Sequence, residues 1–279
     1  YNITCINNNG TGTGIPRGTS STKGGTMIIT GDHEVVSKSS FENSYAGLLG
    51  GTIFITGNDV NISDSSFKKS TVGLEDGGTI YILGNETNIL NCTIDDSTAR
   101  YGGAIFVEGH NATISVKFTN TNATLSGGSI YVQGENATIT NSSFDTTYAF
   151  GSVNNGGGAI FINGNFSTVE GSKFNNNHAD NNHEARGGAI YVTGLNTTIN
   201  SSEFEHSRSN LYGGAIYING NHTSVIGSNF TDCRVNSPTS EGGAIYVYGE
   251  NAVIEDSRFV DSTAKLHGGA IYIHGVNTT

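Results

Sequence analysis

The sequence has no tryptophan, two prolines, one methionine and three cysteines, and its 13 Lys and Arg residues face 24 Asp and Glu. Each shortage excludes something. With a net charge of −11 and no basic cluster, the chain is a poor partner for nucleic acid or for an anionic membrane surface. No apolar run approaches the length of a membrane helix, so no membrane insertion is expected. The chain has neither an initiating methionine nor a charged-then-apolar leader, so any signal peptide is expected to be removed or to lie outside it. Cys5, Cys92 and Cys233 are odd in number and far apart, which reads as isolated small apolar fillers rather than a disulfide or metal set. No cofactor is expected.

What the chain has instead is 40 glycines in a repeating phrase. Ten glycine pairs, from Gly24-Gly25 to Gly268-Gly269, recur every 25–30 residues, and each first glycine is followed seven residues later by another. Between them runs small–aliphatic–aromatic–aliphatic, as in Ala104-Ile105-Phe106-Val107. A second apolar peak follows, such as Asn136-Ala137-Thr138-Ile139, and then Ser-x-Phe, as in Ser202-Glu203-Phe204. The Phe usually stands seventeen residues after the first glycine, and one residue early at Phe118.

A fixed period of this length marks a solenoid. Short β-type segments divided by Gly and Asn turns exclude helical repeats, there is no leucine ladder, and propeller blades need about 40 residues. The pattern predicts an all-β fold: a right-handed parallel β-helix, a single continuous solenoid over residues 1–279. It has about ten coils with three short strands per coil, begins and ends in mid-coil, and at about 4.8 Å per coil forms a rod of roughly 48 Å.

Period-two alternation divides the first strand into two faces. Ile105 and Val107, Ile190 and Val192, and Ile245 and Val247 share one face. Phe54, Tyr81, Phe106, Tyr131, Phe161, Tyr191, Tyr217, Tyr246 and Tyr272 share the other, with Ile28 in the first rung. A dry interior could hardly supply a partner for every Tyr hydroxyl, so the aliphatics are placed inside and the aromatics outside. In the later strands Ile139, Ile199, Ser142, Phe144, Ser202 and Phe204 would point inward, and Asn177, Ser207 and Ser262 would form an internal polar ladder. In this frame Cys92 and Cys233 lie about 24 Å apart along the axis, beyond the reach of a disulfide.

The tail stops eleven residues past Gly268, and the head would complete that coil. Counting on, Tyr1 would fall on an inward aliphatic place, Ile6 on the Phe place and Asn9 on the polar ladder. Tyr1, Ile3, Ile6, Asn277 and Thr279 are the candidate junction of an array stacked end to end, because open β-helix ends expose unpaired strand edges.

The Gly-Gly-Ala-Ile motif with Phe-x-x-Asn/Ser, as in Phe174-Asn175-Asn176-Asn177 and Phe41-Glu42-Asn43-Ser44, resembles a known family. It is similar to the polymorphic outer-membrane protein repeats and to adhesin-like β-helix proteins of methanogenic archaea and related surface proteins. The resemblance runs over nearly the whole chain. It implies an exported surface protein that works in attachment or in building extracellular structures.

Enzymes of β-helix type are the serious alternative, as polysaccharide lyases or glycoside hydrolases. They need carboxylates clustered across neighbouring coils, or acidic metal ligands with a basic partner. The acidic pairs Glu75-Asp76, Asp95-Asp96 and Glu255-Asp256 fall in different parts of the coil and read as solvated turns. The longest inserts, 145–156, 175–186 and 231–241, leave from one corner, where solenoids commonly carry binding determinants. One insert holds His178, Asp180, His183 and Glu184, a weak metal pattern that reads better as a polar loop.

The aromatic row is the stronger signal. An exposed ladder of this size exceeds the apolar patch that monomers usually leave open. It reads as self-stacking rings partly covered by loops, as a lateral contact with another rod, or as a stacking platform for sugars.

Fifteen Asn-x-Ser/Thr sequons occur, and Asn61, Asn85, Asn111, Asn136, Asn165, Asn196, Asn221 and Asn277 are candidate N-glycosylation sites at solvent-facing turns. The chain is expected to be a non-enzymatic, extracellular rod at the cell surface. It would be a repeat unit of a filament, sheath or adhesin stalk, partnered by copies of itself, by lateral rods, or by glycans.

Overall fold

The structure is a computed structural model that describes residues 3–6, 21–151, 156–180 and 184–279. Among these residues there is no helix, and so none long and apolar enough to cross a membrane. The chain winds about nine times through three parallel sheets of 10, 17 and 8 strands, forming a parallel β-solenoid.

The first sheet is the repeated phrase itself. Its strands run from Met27–Ile29 to Ile271–Ile273, and every neighbour pairs in the same register, as Ile190 on Ile216, Tyr191 on Tyr217 and Val192 on Ile218. The second sheet carries two short strands per turn, such as Thr198–Asn200 and Glu203–Glu205. Between them a left-handed residue kinks the backbone, here Ser201 at φ 48°. In two turns the pair fuses into one strand, Asn88–Asp95 and Thr113–Thr119. The second and third strands read from the sequence therefore share one sheet. The third wall is made by the residues just past the Phe, mostly in two-residue strands such as Arg208–Ser209.

The core is as the alternation predicted. Ile105, Val107, Ile190, Val192, Ile245 and Val247 are all fully buried, and with Ile199 and Phe204 they belong to one continuous apolar cluster along the axis. One column of that core is a stack of rings. Phe118, Phe144, Phe174, Phe204, Phe230 and Phe259 stack with centroids 4.6–4.9 Å apart and planes within 9°. The strand spacing of a parallel sheet, about 4.8 Å, is close to the offset-stacking distance of aromatic rings, so the register stacks them without strain.

Two internal polar ladders complete the interior. The kink before each Phe strand takes an N–H out of the backbone ladder, and a serine hydroxyl of the next turn accepts it. Ser142 N–H donates to Ser172 Oγ (3.2 Å), Ser172 N–H to Ser202 Oγ (3.3 Å), and Ser202 N–H to Ser228 Oγ (3.2 Å). Each serine hydroxyl in turn donates to the carbonyl two residues back, as Ser202 Oγ does to Asn200. Cys92 takes this place in one turn and its thiol points at the Leu90 carbonyl (3.3 Å). All three cysteines are free, and burial pushes the thiols of Cys92 and Cys233 up to about 11 and about 12. Both are unreactive fillers.

The second ladder lies three residues past each Phe. In the early turns it meets a hydroxyl on the first strand: Thr26 with Ser44 (2.9 Å), Thr52 with Ser70 (2.7 Å), and Thr79 with Ser97. Later turns have alanine in the threonine place, and there the buried hydroxyl of Ser207, eighteen residues after Ala189, has no partner. A buried hydroxyl without a partner is costly, whereas its removal leaves little to lose. Ser207→Ala should therefore melt at the parent temperature or above, with a gain of up to about 1 kcal/mol in chemical denaturation. A loss of that size would show that the hydroxyl is satisfied in solution.

One expectation about the head of the chain is corrected. Residues Thr4–Ile6 pair with Ser40–Glu42, and it is Cys5, not Ile6, that stands on Phe41. Cys5 packs against the core, and Ile6 faces outward, 59% exposed. The kink residue that sets the count to the Phe place is optional: the Phe118 turn omits it, and the pairing with its neighbour shifts between Leu90 and Cys92. Tyr1 and Asn9 lie outside the described residues.

Candidate functional site

The outer aromatics line up as expected from the alternation, but they are not open to solvent. Eight successive contacts join Phe54 to Tyr272, with centroids 4.8–5.6 Å apart. Phe54, Tyr81, Phe106, Phe161, Tyr191, Tyr217 and Tyr246 are each at most 9% exposed, and Tyr131 and Tyr272 are half-buried. The rings form two clusters of their own, separate from the lumen. Their cover comes from residues beside the glycine pairs: Leu49, Tyr101 and Tyr212 pack against them, Lys23 lies over Phe54 (4.8 Å), and Arg186 lies over Tyr217 (5.5 Å). Of the three readings of this row, the rings follow the first, self-stacked and covered, and they present no open face to another rod or a sugar. Stacked rings cover one another along the axis, and the flanking residues cover their edges.

The electrostatics of this face follow from that burial. Desolvation pushes the Tyr131 hydroxyl up to about 12, and those of Tyr81, Tyr191, Tyr217 and Tyr246 upward as well. Tyr81 donates its hydroxyl proton to Glu108 of the next turn, which further disfavours the phenolate. None of these groups is a nucleophile or base near neutral pH.

Beside the ladder sits the one acidic pair with a specific partner. Arg100 reaches Glu75 (2.6 Å) and lies 3.6 Å from Asp76, which also accepts the Tyr101 N–H (3.2 Å). Desolvation outweighs Arg100 and raises Asp76 to about 6. A carboxyl whose folded pKa lies above its unfolded value holds its proton more tightly in the fold. Stability is then greatest below about pH 4, falls as pH rises through about 6, and is flat above. Asp76→Asn keeps the acceptor for Tyr101 and removes the buried charge. It should stabilise the chain by about 2 kcal/mol at pH 8 and leave it unchanged at pH 4, read from melts at the two pH values. Equal gains at both would assign the effect to packing. Asp96 and Asp256, from the other acidic pairs, sit at left-handed turns with φ 55° and 48°.

The remaining sequence candidates are dispersed. His178, Asp180 and Glu184 are described and His183 lies outside the described residues; among the described residues no three His, Cys, Asp or Glu side chains come together as a metal site. The sequon asparagines lie on the turns after the first strand. Asn111, Asn136, Asn196 and Asn277 occupy its left-handed position at φ 54–59°, while Asn85, Asn165 and Asn221 stand one residue earlier and Asn61 starts the next strand. Several spend their amides between turns: Asn136 donates to Asn111 (2.8 Å) and Asn165 to Glu135 (3.0 Å). What the sequence did not show is a cleft on the third sheet, lined by His178, Asp180, Arg208, Asn210 and Asn236. Its residues come from three turns, at equivalent places whose residue types change from turn to turn.

Residues 171–193, which run from the Phe174 strand through Gly187-Gly188-Ala189-Ile190, match the Chlamydia polymorphic membrane protein repeat. No curated protein matches the chain. Among solved structures, a complex of the alginate lyase AlyF-OU02 is similar over 90% of this chain, with 15% identity and a TM-score of 0.44. The chain spans 58% of the length of that lyase. The protein is therefore a parallel β-solenoid in which one short stretch, residues 171–193, is similar to the polymorphic membrane protein repeat, and that match supports the polymorphic membrane protein part of the resemblance read from the Gly-Gly-Ala-Ile motif.

Proposed function

We propose that the chain is a non-enzymatic, extracellular rod at the cell surface, a repeat unit of a filament, sheath or adhesin stalk. The polymorphic membrane protein repeat supports a surface, adhesin-like role, and the closer likeness to methanogen adhesin-like proteins and a right-handed coil belong to this reading. The observation that carries it is the unbroken register of the first sheet: ten strands pair residue for residue with no slipped rung. A site for chemistry normally interrupts such regularity locally, because reactive groups need strain or special geometry. Here the interior serines before each Phe strand are spent on backbone partners of their own and neighbouring turns.

In an array joined head to tail, Cys5 would follow Gly268 by sixteen residues, the spacing of Gly102 and Phe118. The shorter, unkinked turn is therefore the form that such a junction would take. At the tail, Asn277 donates to Asn251 (3.3 Å) and the Thr279 carbonyl accepts the Ile254 N–H (2.7 Å), so the last residues already follow the second sheet. Electron micrographs of native material should show ordered fibres. Dispersed particles, together with turnover of an acidic polysaccharide, would instead favour a lyase.

Glycosylation is part of the same reading. Peptide mass spectrometry of native material should find glycan on Asn196, which is exposed at a left-handed turn. Occupancy should be lower at Asn136 and Asn165, whose amides bond the neighbouring turn. Unmodified asparagine at every sequon would remove this element.

A further inference from the structure

The outward face of the third sheet differs from the rest of the surface. Tyr148, His178, Arg208 and Arg234 stack in register, one per turn. Two residues further along each turn stand Phe150, Asp180, Asn210 and Asn236. A cleft of about 250 Å³ lies along part of these columns, lined by His178, Asp180, Arg208, Asn210 and Asn236, with Tyr148 and Phe150 one turn away from His178 and Asp180.

Two features of this face have no internal explanation. Arg234 is neutralised by Asp232 of its own turn, but Arg208 forms no ion pair among the described residues, and its Nε is buried without a hydrogen-bond partner. The residues outside the described set include no Asp or Glu that could supply one. A chain with a net charge of −11 thus keeps a cation without a partner directly above another cation, an arrangement that costs stability in a sheet. At the other end of the column, Tyr148 and Phe150 lie parallel, within 9° and 5.6 Å apart, and Phe150 is 52% exposed. Unlike the closed ladder of the first sheet, this ring pair has an open face.

We propose that this face binds an acidic saccharide, with a sugar ring seated on Tyr148 and Phe150 and its carboxylate or sulfate held by Arg208. The guanidinium offers the paired donors that such groups accept, and Asp180, Asn210 and Asn236 supply partners for hydroxyls. From Tyr148 to Arg208 is two turns, about 10 Å, the span of a disaccharide. The ring pair favours a sugar over a simple anion, which would need only the arginine. The site lies on single chains and does not depend on the rod reading, so absence of fibres would leave it untouched.

The test is calorimetric titration of the whole chain with polygalacturonate and heparin oligosaccharides. Maltohexaose serves as the neutral control and inorganic sulfate as the free anion. An acidic oligosaccharide should bind and the neutral one should not, with affinity falling as salt rises from about 0.05 to about 0.5 M. Arg208→Gln and Phe150→Ala should each weaken binding by about tenfold or more, with unchanged circular dichroism because both side chains point outward. Failure of every acidic oligosaccharide to bind, or parent-like binding by both variants, overturns the proposal. So does sulfate binding as tightly as the oligosaccharides with no effect of Phe150→Ala, which would leave a plain anion site.

Discussion

Gly188→Ala is expected to abolish cooperative folding of the turns around it. Gly188 has an ordinary φ, so the reason is not backbone strain. A Cβ there would lie 2.1 Å from the carbonyl oxygen of Gly214 and 2.4 Å from that of Arg208. Both atoms belong to the backbone of the next turn, which is fixed by its own parallel pairing, so neither can move aside. The same holds at each rung but the last, where a Cβ on Gly269 would meet only the Ser262 carbonyl oxygen at 3.7 Å; elsewhere the second glycine of the pair faces the backbone of the following turn. The penalty should reach about 4 kcal/mol or more, the range reserved for steric failures in a core. Urea unfolding followed by circular dichroism is the measurement, and a variant within 1 kcal/mol of the parent, roughly the noise of such comparisons, would show that the turns can separate locally. Gly227→Asn supplies the contrast. Gly227 has φ +58°, but its Cβ would meet nothing closer than 3.8 Å, and the same kink position holds Ser201, Asn141 and Asp64 in other turns. That substitution should stay within about 0.5 kcal/mol of the parent.

Phe174→Ala should cost about 3–5 kcal/mol. The ring is 1% exposed and is sandwiched between Phe144 (4.7 Å, 4°) and Phe204 (4.6 Å, 4°), so its loss opens a cavity and ends two stacking contacts. Neighbouring turns cannot collapse into the gap, because strand spacing is set by backbone hydrogen bonds on both sides. Phe174→Ile is the informative partner. Ile94 already occupies this column next to Phe67, and it is 1% exposed. The isoleucine variant should therefore lose less than about 1.5 kcal/mol. If both variants lost equally, ring stacking rather than volume would set the stability of the column. Hydrogen exchange should show protection lost first in the strands 173–175 and 203–205, since each turn is supported only by its neighbours.

Much of this architecture was legible in the amino-acid order because its cause is repetitive. Glycine pairs mark the entry to each first strand, and the Ile-x-Val alternation assigns inside and outside without ambiguity. The Ser-x-Phe motif locates both an internal hydroxyl ladder and an internal ring column. What escaped was whatever is not periodic. The third wall is built from strands too short to show an alternation, so its residues read as loop. The burial of Tyr191 and Tyr217 depends on Arg186 and Tyr212, whose column holds Lys23, Leu49 and Tyr101 in other turns, so no composition announces it. The raised pKa of Asp76 and the pairing with Arg100 join residues one turn apart that belong to no motif. The place of Cys5 on Phe41 escaped too, since a kink that can be omitted leaves the count to the Phe place open. The cleft at Arg208 is assembled from three turns on this third wall, at equivalent places whose residue types vary from turn to turn.

The register of the sheets has a kinetic consequence. Past the head strand, where Thr4 reaches Ser40, every strand partner among the described residues lies 24–30 residues away along the chain, as Thr98 to Asn122 and Ile130 to Ile160, and adding turns adds no longer closure. Loop entropy is therefore paid in small equal instalments, and a turn can set as soon as the segment after it arrives. A polypeptide of this kind emerging slowly from a ribosome or a narrow pore would crystallise onto its own growing tip. Lengthening the rod would then add time to its folding without adding a barrier.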